Sequence, residues 1–595
     1  MTVRFESRKR LLGLAAAVFV LLGAATACQP GALAITADPA LYPTFQPAVI
    51  DYVNRCDPAS PTDVSVNAPA GTTVSVDGQP PRSGSFTAQV SQGVGDRFTL
   101  RVTTDAGSTT HHVRCLPLDF LPWRAEKTGV TQSQYYATAL PLTFGPAGSY
   151  GIVFDTNGVP VWWTENRKRT TLFSLLPNLH FGIELIDGGA QELALDGSLV
   201  RSVNTVGGPS DFHDFILLPN GNYLLATAQQ QLADLSVWGP PYEADTPVIN
   251  HVFQEITPAG AVVWSWDTAE HIPVTETTNT WRSEPEPVTG LADPWHYNSV
   301  EWAGDGIIIS FRHLDAVLKV TKATGDIAWK LGGTTTPDSL TVVGDPVFTG
   351  GGSFSGQHDA RLQPDGTLTL FDNGSQKSRA PRAVRYRLDL GPGTATLLEQ
   401  ITDPIAPSSF CCGSARRLPG GNWVTGWGGT RHITEQKPDG TRVFRLDGAT
   451  STIYQGTPVP FGRLSPSALR DGMEAQYASP TDSQVGTINR LYLAFFLRPA
   501  DAHGFAYWIN LYVDGVAIGT ISEAFAQSAE FVRRYGHLTD PEFVRLVYEN
   551  VLGRTPDSSG YRYWTDLLAR RVTSRGGVML NFSESPEFKA KTNTI

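Results

Sequence analysis

The sequence predicts a mainly β protein. A six-bladed β-propeller is expected over residues 120–465, with a small immunoglobulin- or cadherin-like β-sandwich before it (36–118) and an all-α module after it (487–595). Three observations predict this. A four-strand unit recurs through the middle of the chain. The preceding segment alternates short β-rich runs with closely spaced turns, and the last segment holds two copies of one helical pattern.

The chain has 595 residues, too many for one ordinary core. Its 58 glycines and 42 prolines, with no low-complexity run, suit many short strands joined by tight turns. A net charge of −11 and the lack of a basic stripe argue against nucleic acid as a partner.

Residues 1–28 read as a signal peptide ending in a lipobox. Arg4, Arg8, Lys9 and Arg10 precede the apolar run LLGLAAAVFVLLGAATA, and Ala25, Thr26 and Ala27 suit a signal peptidase. The expected location is extracellular or in the cell envelope, with a membrane tether through lipidated Cys28. No later segment is long and apolar enough to span a bilayer. In an oxidising compartment Cys56 and Cys115, which bracket one small segment, are natural disulfide partners. Adjacent Cys411 and Cys412 are compatible with a vicinal disulfide, two free thiols or a bridge elsewhere. No cysteine pair has zinc-like spacing alongside histidines, and neither metal nor cofactor is expected.

The sandwich expectation rests on TDVSVNAPAGTTVSVDGQPPRSGSFTAQV and the strand-like runs that follow it up to Cys115. The propeller expectation rests on repetition. The hairpin LLPNGNYLLAT (217–227) is echoed by RLQPDGTLTLF (361–371), RLPGGNWVTGW (417–427) and, more loosely, EWAGDGIIISF (301–311). A second hairpin follows each, as in ITPAGAVVWSWD (256–267) and QKPDGTRVFRL (436–446). Two hairpins make one blade. Six units begin near 150, 180, 213, 296, 358 and 414. Closure into a ring removes exposed sheet edges. A linker is expected over 466–486. Beyond it, Arg498, Asp501, Gly504, Tyr507 and Trp508 recur as Arg554, Asp557, Gly560, Tyr563 and Trp564, all offset by 56. The Tyr and Trp of this motif are expected to pack in the core.

Candidate chemistry lies where unusual polar residues enter the repeat. His358 sits six residues before Pro364, and His213 six before Pro219. His296 and Asn298 occupy the corresponding strand entrance in DPWHYNSVEW, and the same offset in the last unit falls beside Ser414. Antiparallel pairing should bring Arg312 to His296, and Asp372 and Asn373 to His358. These residues vary from blade to blade, unlike the shared Asp-Gly turn, which favours function over structure for the set. Arginine with several imidazoles suits a compact oxygenated anion such as sulfate or phosphate.

WHYNSVEWAGDGIIISFRHLDAVLKV (295–320) and QHDARLQPDGTLTLFDNG (357–374) resemble signature segments of bacterial arylsulfate sulfotransferases, and CCGSARRLPGGNWVTGWGG (411–429) is similar to the closing segment of the exported actinobacterial-type branch. The resemblance spans about 125–460. It implies transfer of a sulfuryl group from an aryl sulfate donor to a phenolic acceptor without a nucleotide donor, through a transient sulfohistidine on His358. It further implies catalytic roles for His296, Asn298, Arg312 and His213, with Asp372, Asn373 and Ser414 near the substrate. The C-terminal repeats resemble a bacterial domain of unknown function found on exported proteins, which implies docking to a cell-surface partner. The alternative from another class is a non-catalytic exported propeller that binds glycan or protein.

Overall fold

The structure is a computed structural model. It describes residues 31–592 except 58–59, 118, 141–148, 165–169, 187–188, 286–288, 449–451, 478–481, 501, 514–515 and 536–537. The expected signal segment and Cys28 lie outside the described residues. Among the described residues, no helix is long and apolar enough to cross a membrane.

The chain is mainly β, with propeller-like sheets followed by a helical C-terminal region. Between Trp123 and Pro460 lie six sheets of four or five strands, met in turn along the chain, and one inserted hairpin. One sheet runs Tyr297–Trp302, Gly306–Phe311, Ala316–Thr321, Ile327–Gly332, each strand antiparallel to the next. Ile307, Ile309, Phe311, Leu318 and Val320 are buried on one face and Ile308 and Val317 on the other, because the sheets pack on both faces. The repeated turn is local chemistry. Gly366 takes φ +78°, its N–H reaches Gln363 O at 2.9 Å, and Asp365 Oδ1 accepts the Thr367 N–H at 3.1 Å.

Two unit boundaries move from their expected places. The first two sheets begin with Ser133–Leu140 and Thr170–Leu175, not near 150 and 180. In these sheets the Asn157-Gly158 and Asp196-Gly197 turns join the outer pair of strands, so the repeat motif marks the second hairpin rather than the first. The long third unit contains the inserted hairpin Gln229–Ala233/Thr246–Asn250. Both ends of the region are sewn into sheets begun elsewhere. Thr457–Pro460 pairs with Ser133–Leu140, and Trp123–Lys127 covers the edge of the last sheet by pairing with Arg442–Gly448.

The first strands of successive sheets are cross-linked by charge. Arg361, buried in His358–Leu362, donates to Asp359 Oδ1 at 2.8 Å, Asp214 Oδ2 at 2.7 Å, Val300 O at 2.6 Å and Glu301 Oε2 at 3.1 Å. Asp359 in turn accepts the Ala415 N–H at 2.9 Å and two bonds from Arg416. Four sheets meet in this one network.

At the N-terminus a three-stranded and a four-stranded sheet share one core that includes Tyr52, Val64, Val74, Phe98 and Val113. Cys56 and Cys115 form a disulfide with Cα atoms 5.5 Å apart. The expected linker over 466–486 is partly helical. The helix Pro466–Gln476 buries Leu469 and Met473 in the cluster that holds Trp162 and Trp163, while Arg470 pairs with Asp51 at 2.9 Å and Glu474 with Arg114 at 2.9 Å. It clasps the N-terminal sheets to the first central sheet.

The helical repeats appear as expected from the offset. Asp482–Phe496, Ala502–Val513, Ile518–Gln527 and Ala529–Tyr535 are followed by Asp540–Leu552, Ser558–Ala569, Arg575–Ser583 and Pro586–Thr592. Their shared motif is structural where it is described. Arg498 pairs with Glu530 at 2.9 Å and its counterpart Arg554 with Glu587 at 3.1 Å. Asp557 caps Ser558–Ala569, and a Cβ on Gly560 would lie 2.1 Å from Tyr548 Oη. One expectation is corrected. Tyr507 and Tyr563 are 58% and 57% exposed, and only the Trp of each pair packs against the core. The helical period turns the Tyr ring outward while its neighbour faces in.

Replacing Arg361 by Ala leaves Asp214 and Glu301 without their cation and Asp359 with Arg416 alone. The expected cost is about 3–5 kcal/mol in chemical denaturation. A loss below about 1 kcal/mol would show that the cross-link does not hold the sheets.

Candidate active site

The site forms where the first strands enter their sheets. His358 opens its strand and pairs with Phe371, after which the register slips before Arg361 meets Thr369. Asp359 takes φ +56°, His296 +48° and Cys412 +65°, left-handed conformations that non-glycine residues adopt rarely. Each is held by several hydrogen bonds or by buried neighbours, as local strain at such positions requires.

The hydrogen-bond partners of His358 define its tautomer. Nδ1 faces two acceptors, Gly356 O at 2.8 Å and Asn373 Oδ1 at 2.9 Å, so it carries the proton. Nε2 accepts the Cys412 N–H at 3.0 Å and therefore keeps its lone pair. Burial, followed by the positive charge of Arg312, holds the imidazole well below its usual range. His358 is a neutral, dry imidazole with a nucleophilic nitrogen.

Arg312 follows Gly306–Phe311 and its backbone N–H reaches His296 O at 2.8 Å. The guanidinium lies 4.1 Å over the Trp281 ring and donates to His313 Nε2 at 2.8 Å and Phe410 O at 3.0 Å. Its Nε is buried without a partner among the described residues. Tyr454 Oη is likewise buried and unpartnered, and its ring centroid is 6.4 Å from His358 and 6.1 Å from His213. Two such donors cost free energy unless an acceptor visits them.

Three further imidazoles complete the cluster. The ring of His296 is centred 4.9 Å from His213 and 4.6 Å from His313. His213 Nδ1 donates to Asp211 Oδ1 at 2.6 Å and His296 Nδ1 to Asp293 Oδ2 at 2.5 Å. His313 Nδ1 donates to Asp293 O at 2.6 Å. Burial lowers the pKa of His296 and pushes that of His313 further down. Asp293, His296 and His313 offer atoms within 4.8 Å of one another, the spacing of a cation site. The protons of Nδ1 and the Arg312 guanidinium already engage them, and a second positive charge beside Arg312 would be repelled. The cluster suits an anion.

The structure thus brings His213, His296, Arg312, His358 and Asn373 together. Three expected residues take other work. Asn298 Nδ2 donates to Gln357 O at 2.7 Å, holding the strand entrance of His358, while its Oδ1 is buried without a partner among the described residues. Asp372 faces away from His358 and binds Arg379 at 2.7 Å and Arg382 at 3.0 Å, because side chains alternate and Asn373 takes the inward place. Ser414 Oγ donates to Gly456 O and accepts the Gly456 N–H, each at 3.0 Å, pinning its strand to the segment that enters the closing strand. Cys411 and Cys412 form a vicinal disulfide. Sequence reasoning missed Asp211, His251, Trp281, Asp293, His313 and Tyr454. The patterns D-x-H in SDFHDF and D-x-x-H in DPWH could have flagged the two aspartates as orienting partners.

Comparison with known proteins agrees with the chemistry of this cluster. The family model described as Arylsulfotransferase (ASST) matches residues 126–453, and one described as a domain of unknown function (DUF4214) matches 522–592. No curated protein matches the chain. Among solved structures, a protein of unknown function from Bacteroides caccae is 12% identical, covering 55% of this chain and 99% of its own, with a TM-score of 0.35. The β-propeller domain of Cps50 (Swd1) from Myceliophteria thermophila is 12% identical, covering 55% and 90%, with a TM-score of 0.31. A catalytically inactive virginiamycin B lyase from Staphylococcus aureus, with quinupristin, is 9% identical, covering 55% and 99%, with a TM-score of 0.29. At these TM-scores the likenesses add nothing to the sheet order. The family match takes in every sheet of the central region and the whole histidine cluster, and the chain belongs to the arylsulfotransferase family.

Proposed function

We propose that the chain transfers a sulfuryl group from a phenolic sulfate ester to a phenol, with no nucleotide donor, by a ping-pong route through a sulfohistidine on His358. The observation that carries this reading is the His358 Nε2 lone pair, set by two acceptors on Nδ1, beside the unpartnered Arg312 Nε and Tyr454 Oη. The six central sheets then read as six blades of a closed propeller over 120–465, and the two N-terminal sheets as a sandwich over 36–118. In this reading the chain is exported, tethered through Cys28, and uses its C-terminal repeats (487–595) to dock at the cell surface.

Sulfuryl transfer needs positioning and charge stabilisation more than covalent help. The Cys412 N–H yields Nε2, which attacks sulfur in line with the aryl oxygen. The S–O bond to the aryl group breaks as the N–S bond forms, and the aryl oxygen leaves as phenoxide. Arg312 and Tyr454 bind the sulfuryl oxygens. In the second half-reaction the acceptor phenol gives its proton to Nε2 of His213 or His296, its oxygen attacks sulfur, the N–S bond breaks, and the imidazole releases that proton to solvent. Asp211 and Asp293 keep those imidazoles oriented, and Asn298 and Asn373 hold His358. This arrangement needs no metal and no organic cofactor.

With 4-nitrophenyl sulfate and phenol, the intact protein should release nitrophenol in an acceptor-dependent way, and His358→Ala should lower the rate at least ~10³-fold. No turnover with several aryl sulfates would favour a non-catalytic surface propeller. Tyr454→Phe, which removes only the hydroxyl, should lower kcat/KM about 10-fold, the worth of one hydrogen bond to a charged group. An unchanged kcat/KM would remove Tyr454 from the site.

The pH dependence of His358 has a definite sign. Its folded pKa lies well below that of a free imidazole, so the nucleophile stays neutral as pH falls through the ordinary histidine range. Single-turnover sulfation of the protein should therefore be flat from about pH 8 to 6. A loss centred near 6.5 would contradict a buried, neutral nucleophile.

A further inference from the structure

His251 is a buried imidazole that no step above uses. It lies between Thr246–Asn250 and Val252–Ile256, 2% exposed. Its Nδ1 faces the Thr227 carbonyl at 3.0 Å, an acceptor, so Nδ1 carries a proton. Its Nε2 lies 3.8 Å from Asp293 Oδ1, and Nδ1 lies 3.7 Å from Asp211 Oδ2. These are the two carboxylates that accept from His213 and His296.

The geometry allows two protonation states. If His251 were neutral, the bare Nε2 lone pair would face a buried carboxylate, and Asp211 and Asp293 would share their dry pocket with no adjacent full cation except Arg312 across the site. If it is an imidazolium, Nε2–H lies 3.8 Å from Asp293 Oδ1, an ion-pair contact longer than a hydrogen bond, and one positive charge lies between two negative ones. Two unpaired carboxylates cost several kcal/mol each when taken out of water. The cation is therefore the favoured state. The balance of charges points the same way: burial alone would lower the His251 pKa, but Asp293 and Asp211 outweigh it and raise it. Both carboxylates are kept ionised against burial, Asp211 first by His213 and Asp293 first by His296, with His251 contributing to each. The Tyr297 ring stands edge-on 5.1 Å away, and burial together with Asp214 and Asp211 raises the pKa of Glu184 well above the usual carboxylate range.

We propose that His251 is a positioning residue: an imidazolium bridging Asp211 and Asp293, it keeps both carboxylates ionised and so holds His213 and His296 with Nδ1 as donor and Nε2 free for proton transfer. The role in proton transfer rests on the sulfuryl-transfer reading above, whereas the bridging charge does not. One cation thereby sets two acid–base groups at once. It also explains how a carboxylate-rich pocket adjoins a site built for a sulfate ester: one of its two negative charges is offset locally, which leaves Arg312 for the substrate.

The test uses the full chain labelled with ¹⁵N at its imidazoles. At pH 7.5 one histidine should show both ring nitrogens protonated, and its signal should vanish in His251→Gln. In that variant the remaining cluster loses a neighbouring positive charge, so the titration midpoint of His296 should rise by about one pH unit. The limb of the pH–rate profile that this imidazole sets should move up by the same amount, and kcat/KM at pH 7 should fall about 10-fold with KM little changed. No doubly protonated imidazole at pH 7.5 in the intact protein would overturn the proposal, even if the variant does not fold. A folded variant with an unmoved His296 midpoint would overturn it too. The spectroscopic outcome does not depend on turnover, so a protein that transfers no sulfuryl group but shows the bridging cation sinks the proposed function and leaves the bridge standing.

Discussion

The guanidinium of Arg361 is the contact on which the rest of the arrangement depends. It lies 2.7 Å from Asp214 and 2.8 Å from Asp359, and through Val300, Glu301 and Arg416 it ties the entrances of four first strands to one another. Each anchor is next to a site residue in the chain: Asp214 beside His213, Asp359 beside His358, and Val300 two residues from Asn298. A fixed layer of charge thus lies directly beneath the layer of imidazoles. Sheets that pack by apolar faces alone can slide, because burial is non-directional. Charge-assisted hydrogen bonds in a buried interior cannot shift by an ångström without losing their partners.

Above that layer the site is organised by desolvation. His296, His313 and His358 stay neutral because burial disfavours the imidazolium. Each has its Nδ1 proton fixed by a carbonyl or carboxylate, which turns the opposite nitrogen toward a neighbour or the site. Arg312, stacked on Trp281, supplies the positive charge that a sulfate ester needs. The vicinal Cys411–Cys412 segment closes over this group, since Cys412 donates to His358 and Phe410 accepts from Arg312. The C-terminal repeats show a different economy. Arg498 and Arg554 tie their helical units through Glu530 and Glu587, and Asp557 caps a helix of the second, while Tyr507 and Tyr563 are presented to solvent.

Much of this was legible in the residues. The four-strand repeat, the Cys56–Cys115 pair and the 56-residue helical duplication are encoded by local spacing, and each appears in the structure. The six-residue offset before the turn singled out His213 and His358, whose rings lie 6.1 and 6.4 Å from that of Tyr454. The same rule failed for Asp372 and Ser414. It places a residue at a strand end but does not say which way the side chain points, since successive side chains point to opposite faces. His251 and Tyr454 carry no repeat signal at all. One follows an inserted hairpin, and the other lies in the connection to the closing strand.

The sequence by itself determined the order of the three regions, the hairpin unit and the residue types able to handle an oxygenated anion, because turns, periods and offsets act over a few residues. Tertiary structure alone decided that Thr457–Pro460 completes the first sheet and that His251 lies between Asp211 and Asp293. Those contacts join residues tens to hundreds of positions apart. They exist only once the sheets are packed and water is excluded, and only there do a bare lone pair and a buried charge acquire the energies that make them chemistry.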